Sequence, residues 1–390
     1  MKQQSIDSPL QWNQTRISSS LGTKYPIIQG PLGGLSTQRL TSTVSNFGGL
    51  GSFGAHGLIP SAIRDVIAEI RALTHKPFAI NLWVSMEDEG ARASGSEAFA
   101  RSLASVAGHI QALGGTLPTH KPYVPIKFED QVRIVLDAKV PVFSFIYGIP
   151  PKEILDECRA QGIVTIGAAT TPEEAIVLEQ AGVDAIAASG FEAGGHRGSF
   201  LRPAEESLTG TFSLVPQVVD AVSVPVIAAG GIADARGIVA AFALGAEGVQ
   251  IGTAFLASEE SGASAHHRKA LLSGNAGRTG LTRGFTGRLA RGIHNQLLEE
   301  LNRPDVETLP YPLQRSLIRN LSILAEKAAK PELLQLWAGQ SANLSRQSDA
   351  KALLQTLVSE VSAIAGPLLG WSRERREMKS ASKPTRSEDI

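Results

Sequence analysis

The chain has one cysteine in 390 residues, Cys158. That excludes an internal disulfide and fits a reducing compartment; the thiol reads as a small buried side chain on a helix. Net charge is absent too, with 37 Lys and Arg against 37 Asp and Glu, so no general attraction to nucleic acid or an anionic membrane is expected. No run has the uninterrupted apolar length of a membrane span. The opening MKQQSIDSPLQWNQTRISSS lacks the apolar centre of a secretory signal, so a cytoplasmic protein is expected. Oligomeric state is not legible. There is no G-x-G-x-x-G after the first apolar run, which disfavours a doubly wound dinucleotide-binding sheet. No internal repeat exists beyond an alternation of strand and helix patterns.

Glycine is abundant, at 39 residues, and 43% of the chain is hydrophobic, enough for one large core plus an accessory region. Apolar runs occur at Pro26–Gln29, Leu50–Phe53, Phe78–Leu82, Val140–Ile146, Ile163–Ile166, Ala185–Ala188, Val226–Ala229 and Val249–Ile251. Helical patterns follow at Thr37–Phe47, Ile59–Leu73, Phe128–Ala138, Lys152–Gln161, Pro172–Ala181, Ser213–Val222, Asp234–Leu244 and Ala263–Leu272. This is the count of an α/β (β/α)8 TIM barrel, spanning 25–275 after an N-terminal extension, 1–24. An insertion after the third strand (85–125, helical around Glu97–Leu113) and a C-terminal helical cap segment (276–371, helices over Leu313–Lys330 and Ala350–Leu368) are expected over the barrel mouth. The charged end, 372–390, reads as a disordered tail.

The unit from Val224 to Leu256 is the most informative. A buried strand ends at Gly230-Gly231, Asp234 caps a helix, Gly245 stops it, and the next strand ends at Gly252-Thr253. Two consecutive strand ends of bare backbone N–H groups make an anion cradle, where such barrels usually hold phosphate. Both turns are expected to converge on one phosphoryl group.

Chemistry in a barrel sits at the C-terminal strand ends. Here these read Gln29-Gly30-Pro31, Gly54-Ala55-His56, Asn81, Tyr147-Gly148, Gly167-Ala168, Ser189 to His196, and the two glycine turns. The several His, Asp and Glu of a metal-dependent hydrolase are missing, so no metal is expected. An aldolase's strand-end lysine is missing as well. What remains suits a large, flat, phosphate-tailed ligand, and flavin mononucleotide (FMN) fits. The loop Ala187–Gly198, A-A-S-G-F-E-A-G-G-H-R-G, carries one group titrating near neutrality, His196, able to take a proton from a carbon acid or return it. Glu192 and Arg197 beside it read as solvated loop charges.

These elements resemble the nitronate monooxygenase family, formerly 2-nitropropane dioxygenases, which are FMN-dependent TIM barrels. The resemblance is carried by P-I-I-Q-G-P-L-G-G-L-S-T (Pro26–Thr37), P-F-A-I-N-L-W-V (Pro77–Val84), E-A-G-G-H-R-G (Glu192–Gly198), A-A-G-G-I (Ala228–Ile232) and Q-I-G-T-A-F (Gln250–Phe255). F-T-G-R-L-A-R-G (Phe285–Gly292), P-Y-P-L-Q (Pro310–Gln314) and L-W-A-G-Q (Leu336–Gln340) extend it. It implies that Pro31, Leu32 and Gly33 line the flavin ring, that Asn81 hydrogen-bonds it, and that Ala193 and Gly194 run beside the ring or ribityl chain. It implies further that Gly230, Gly231, Gln250, Gly252 and Thr253 hold the phosphate and its approach. Tyr311, Trp337 and Gln340 would wall the substrate cavity, and His196 is the family's catalytic histidine. The first motif departs from the family's usual A-P-M, reading Gly30-Pro31-Leu32; a branched side chain of similar size should preserve flavin binding. The implied activity is oxidation of a small nitronate or nitroalkane, such as propionate 3-nitronate, by FMN and O₂ to a carbonyl compound and nitrite. Flavin-dependent quinone and enoyl-thioester reductases share similar glycine motifs. An NAD(P)H-dependent flavin reductase is therefore the alternative, and a flavin-free phosphate-binding barrel is a third reading.

Overall fold

Short apolar runs separated by helices pair in parallel, because each right-handed crossover returns the chain to the same end of the sheet. The computed structural model describes residues 12–121 and 123–381, with 366–381 as backbone alone. Its barrel strands are β1 (Ile27–Gln29), β2 (Gly51–Gly54), β3 (Phe78–Trp83), β4 (Val142–Ile146), β5 (Val164–Ala169) and β6 (Ala185–Ser189). A two-residue strand, β7 (Gly195–His196), precedes the last two, β8 (Val226–Ala229) and β9 (Gly248–Ile251). All but β7 form one parallel sheet in which β1 pairs with β9. The seam between β1 and β2 is closed by a bridge from Ile28 to Leu50 and by the buried Gln29 side chain. Its Nε2 donates to Ser52 O at 2.8 Å, while its Oε1 accepts from Ser52 N at 3.1 Å. The eight strands thus make a (β/α)8 barrel.

Alternation along each strand sorts the interior into layers. At the base, Ile28, Leu50, Ala79, Val142, Ile166, Ala187 and Ile227 pack together. Two residues nearer the mouth on the same faces stand Gly30, Ser52, Asn81, Ser144, Ala168, Ser189 and Ala229. The base is therefore a filled apolar plug, and the mouth is floored by small and polar groups.

The structure adds elements to the sequence reading and corrects two expectations. Within the extension, Arg16–Leu21 is a helix with a Thr15/Ser18 capping box, and Ile17 and Leu21 bury into the basal cluster, so it seals the barrel floor. The helix beginning at Ala350 does not join the cap. Its stripe of Leu353, Leu354, Leu357 and Val361 packs in the main core, against helices Gln38–Phe47 and Ala235–Ala243 on the barrel flank. That helix continues to Ala381, into the segment read as a disordered tail; 382–390 lie outside the described residues, as do 1–11. After β9 a short helix, Thr253–Leu256, precedes Ala265–Leu271. Cys158 is buried on helix Lys152–Gln161 as expected, and burial pushes its thiol up to about 12.

The insertion and the C-terminal segment form one cap. Helix Ser96–Ala112 packs on Leu313–Lys327 through Val106, Ile110, Leu317, Ile318 and Leu321. Asp88 of the insertion pairs with Arg288 at 2.7 Å; its backbone N donates to Tyr311 O at 3.0 Å, and its carboxylate Oδ2 accepts from Tyr311 N at 3.3 Å. The cap also joins the barrel by a sheet: β10 (Thr279–Thr282) pairs with β11 (Ala290–Ile293), which pairs with β7.

Candidate active site

The two glycine turns meet at the same end of neighbouring strands. Gly230 and Gly231 adopt φ of 104° and 69°, a left-handed pair that side chains rarely follow. A segment of the cap bridges them to the other turn: Gly339 N donates to Thr253 Oγ1 at 2.9 Å, and Ser341 Oγ donates to Gly231 O at 2.7 Å. Gln340 N donates to Glu192 O at 2.9 Å, while the rest of Gln340 is exposed. Gly194 lies so close to this segment that a Cβ there would fall 2.6 Å from Ala338 C and Gly339 N. Glu192, the acidic side chain beside Gly231, is already engaged, accepting from Thr211 N at 2.8 and 2.9 Å. A cradle of backbone whose neighbouring Glu192 carboxylate is turned to Thr211 fits the phosphate end of FMN.

Glu192 and Arg197 are therefore not solvated loop charges. Arg197 is 1% exposed and donates to Gly190 O at 2.6 Å and Ser189 O at 2.9 Å. It fastens the glycine loop to the end of β6, and burial lowers its pKa to about 10.

His196, two residues beyond Gly194, sits on β7 opposite Ala290. Its Nε2 lies 2.9 Å from Thr286 Oγ1. That hydroxyl has Arg288 O within 3.3 Å as a second acceptor, so it can meet the ring in either tautomer. Half-buried at its surface, the imidazole is walled by Trp83 (5.0 Å between centroids), Trp337 (5.3 Å) and Tyr311 (6.4 Å). Desolvation, with Arg315 and Arg288 nearby, pushes its pKa down to about 3. The base form is the resting form.

Around it stand residues that sequence reading gave no role. His56 stacks on Trp83 at 3.8 Å, the planes 6° apart, and burial first, then Arg315, holds it well below the ordinary histidine range. Tyr147 has φ of 66°, a strained backbone for a side-chain-bearing residue. Its hydroxyl and His56 Nδ1 are buried without partners among the described residues. Such atoms are costly unless a ligand completes them. Arg288 Cζ lies 4.2 Å from the Tyr147 ring and 4.6 Å from that of Tyr311. Thr286, Arg288 and Trp83 stood inside quoted motifs; Tyr147 and His56 stood at strand ends; Arg315 had no local signal.

Each residue singled out from the sequence can be placed. Gly33 abuts His56, where a Cβ would fall 2.4 Å from its ring, and Leu32 lies across from Gly252. Pro31 is on the same turn, and Ala193 N donates to Gly190 O at 3.1 Å. Asn81 Nδ2 donates to Ser144 Oγ at 3.0 Å in the small-residue layer. Gln250, on β9, pairs in register with Ile28 and Ala229, strand positions of the inner face. Tyr311 is buried and receives a bond from Arg315 at 3.2 Å. Trp337 O accepts from His267 at 2.9 Å. Among the described residues no cluster of three or more His, Cys, Asp or Glu is arranged to hold a metal, and no helix is long and apolar enough to cross a membrane.

The family model described as nitronate monooxygenase matches residues 14–360. A probable nitronate monooxygenase of Staphylococcus aureus (strain Newman) is 38% identical over 358 residues, covering 90% of this chain and 99% of that protein. Among solved structures, nitroalkane oxidase from Streptomyces ansochromogenes superposes with a TM-score of 0.81 at 35% identity, covering 90% of this chain and 99% of that one. FabK from Thermotoga maritima superposes with a TM-score of 0.71 at 29% identity, covering 92% and 99%.

Proposed function

The chain belongs to the nitronate monooxygenase family, and from that premise we propose that it oxidises small alkyl nitronates, propionate 3-nitronate as representative, with FMN and O₂, to a carbonyl compound and nitrite. FMN, when bound, supplies the electron acceptor that passes reducing power from nitronate to O₂. The chain's own part is binding, orientation and proton handling. Gly230, Gly231, Gly252 and Thr253 hold the phosphate, with Gln250 below. Pro31, Leu32, Gly33, Asn81, Ala193 and Gly194 line the ring side.

The observation that carries this reading is His196: an imidazole kept neutral, hydrogen-bonded to Thr286, on the loop that also borders the glycine cradle. Offered a neutral nitroalkane, it removes the Cα proton; offered a preformed nitronate, it has only to orient the nitro group. Trp83, Tyr311 and Trp337 exclude water around it.

Nitrite release from propionate 3-nitronate, measured beside NADH and NADPH oxidation on the flavin-loaded protein, tests the proposal. Nitrite with nitronate and no bleaching of the flavin by nicotinamide under anaerobic mixing is expected. Rapid bleaching by NADH or NADPH with no nitrite would replace it by a flavin reductase.

A further inference from the structure

His56 Nδ1, Tyr147 Oη and Arg197 Nε are buried at the barrel mouth without a hydrogen-bond partner among the described residues. They are not equivalent. Arg197 is anchored through its other two nitrogens, to Gly190 O and Ser189 O, and Tyr147 lays its ring on Arg288, 4.2 Å from Cζ. The His56 ring is held by packing. One face lies on Trp83, and the Cε1–Nδ1 edge faces Gly33, where a Cβ would fall 2.4 Å from Cε1 and 3.2 Å from Nδ1. Gln131 Nε2 fixes the backbone behind it, donating to His56 O at 2.9 Å. An imidazole clamped in this way cannot turn to find another partner. His196 and His267, likewise lowered by burial, each have a ring nitrogen engaged, with Thr286 and with Trp337 O.

The turn after β1 leads from the glycine cradle to this nitrogen. Leu32 lies 3.8 Å from where a Cβ on Gly252 would stand, and Gly33, the next residue, abuts His56. The turn after β2 is fixed to it, since a Cβ on Gly54 would fall 2.9 Å from Gly33 Cα. We infer that His56 is a flavin-binding residue of this chain, its Nδ1 completing a hydrogen bond with a polar atom on the edge of the isoalloxazine ring. The inference rests on the flavin part of the proposed function and adds to it a residue outside the motifs that pointed there. The edge of that ring carries both donors and acceptors, so a neutral imidazole meets it in either tautomer. In the empty protein the unpaired nitrogen is a cost, and the flavin relieves it.

The test titrates the full-length apoprotein with FMN and with riboflavin, which keeps the ring and lacks the phosphate, following flavin fluorescence in wild type, His56→Leu and His56→Asn. His56→Leu should weaken both flavins by the same factor, roughly 5–50-fold. His56→Asn, which returns a polar atom near the place of Nδ1, should keep most of the affinity. Urea unfolding of the apoproteins separates binding from folding: His56→Leu should be at least as resistant as wild type, because it removes a buried atom left unpaired. Unchanged flavin affinity in His56→Leu overturns the inference, as does a loss confined to FMN. A less stable His56→Leu apoprotein, with His56→Asn binding no better, marks a structural residue and overturns it too. Wild type that binds neither flavin would remove the flavin reading itself, whereas His56-dependent flavin binding without nitrite release would overturn the nitronate reading alone.

Discussion

His196 holds its contact to Thr286 in surroundings that keep the imidazole unprotonated down to about pH 3. The protonated ring is the form that cannot act as base. With the pKa so low, kcat/KM for a neutral nitroalkane should therefore show no acid limb near 6.5 between pH 5 and 8. A stopped-flow pH profile checks this, and an inflection near the ordinary histidine value would contradict it. His196→Asn should cost nitroalkane turnover 10²–10⁴-fold and nitronate turnover far less; nitrite assays with both substrates distinguish a base from an orienting group. The same physics bears on stability. His267, 4% exposed and lowered to about 4, refuses a proton that the unfolded chain accepts below about 6.5. The unfolded state thus binds more protons across that window, and stability falls as pH drops through it. His267→Gln should flatten the loss of urea resistance between pH 7 and 5 by about 2 kcal/mol. The glycines around His196 advertised its loop. Arg197 shared that loop and looked solvated, because the carbonyls of Ser189 and Gly190 that bury it converge only after β6 and the loop have folded together.

At the level of elements, the helix Arg16–Leu21 closes the barrel floor with Ile17 fully buried. Ile17→Ala should destabilise the protein by about 2–4 kcal/mol, read from urea unfolding, with little effect on nitrite release because the chemistry lies at the opposite end. At the mouth the contact is backbone to backbone. Gly194→Ala would drive a methyl into Ala338 and Gly339, which cannot move as a side-chain tip would. We expect a loss of about 1–3 kcal/mol together with weaker flavin retention on gel filtration; a variant that keeps both would show that the cap segment around Ala338 and Gly339 is free to shift. Element positions were well marked, since period and glycine punctuation are local. The floor helix was missed because its single turn and a half carries only two large apolar residues, Ile17 and Leu21, too few to set a period.

For the molecule as a whole, the site exists only when the barrel and cap meet. Thr286, Arg288, Tyr311, Arg315 and Trp337 all arrive from the C-terminal segment, and Asp88 ties that segment to the insertion. Arg288 is 6% exposed in its side chain against 31% for Asp88, so Asp88→Asn leaves a buried cation short of its counter-charge. Hydrogen exchange should quicken in helices Ser96–Ala112 and Leu313–Lys327 while the barrel strands keep their protection; uniform loosening would mean that the cap and barrel open as one.

The barrel, its parallel strands and the glycine turns that end β8 and β9 were readable from the chain because turn chemistry and hydrophobic period act over a few neighbouring residues. Which charges are buried and which are paired were decided by tertiary structure alone. Desolvation and Coulomb attraction depend on distance in space, and Asp88 meets Arg288 across 200 residues of chain while Arg315 meets no carboxylate among the described residues.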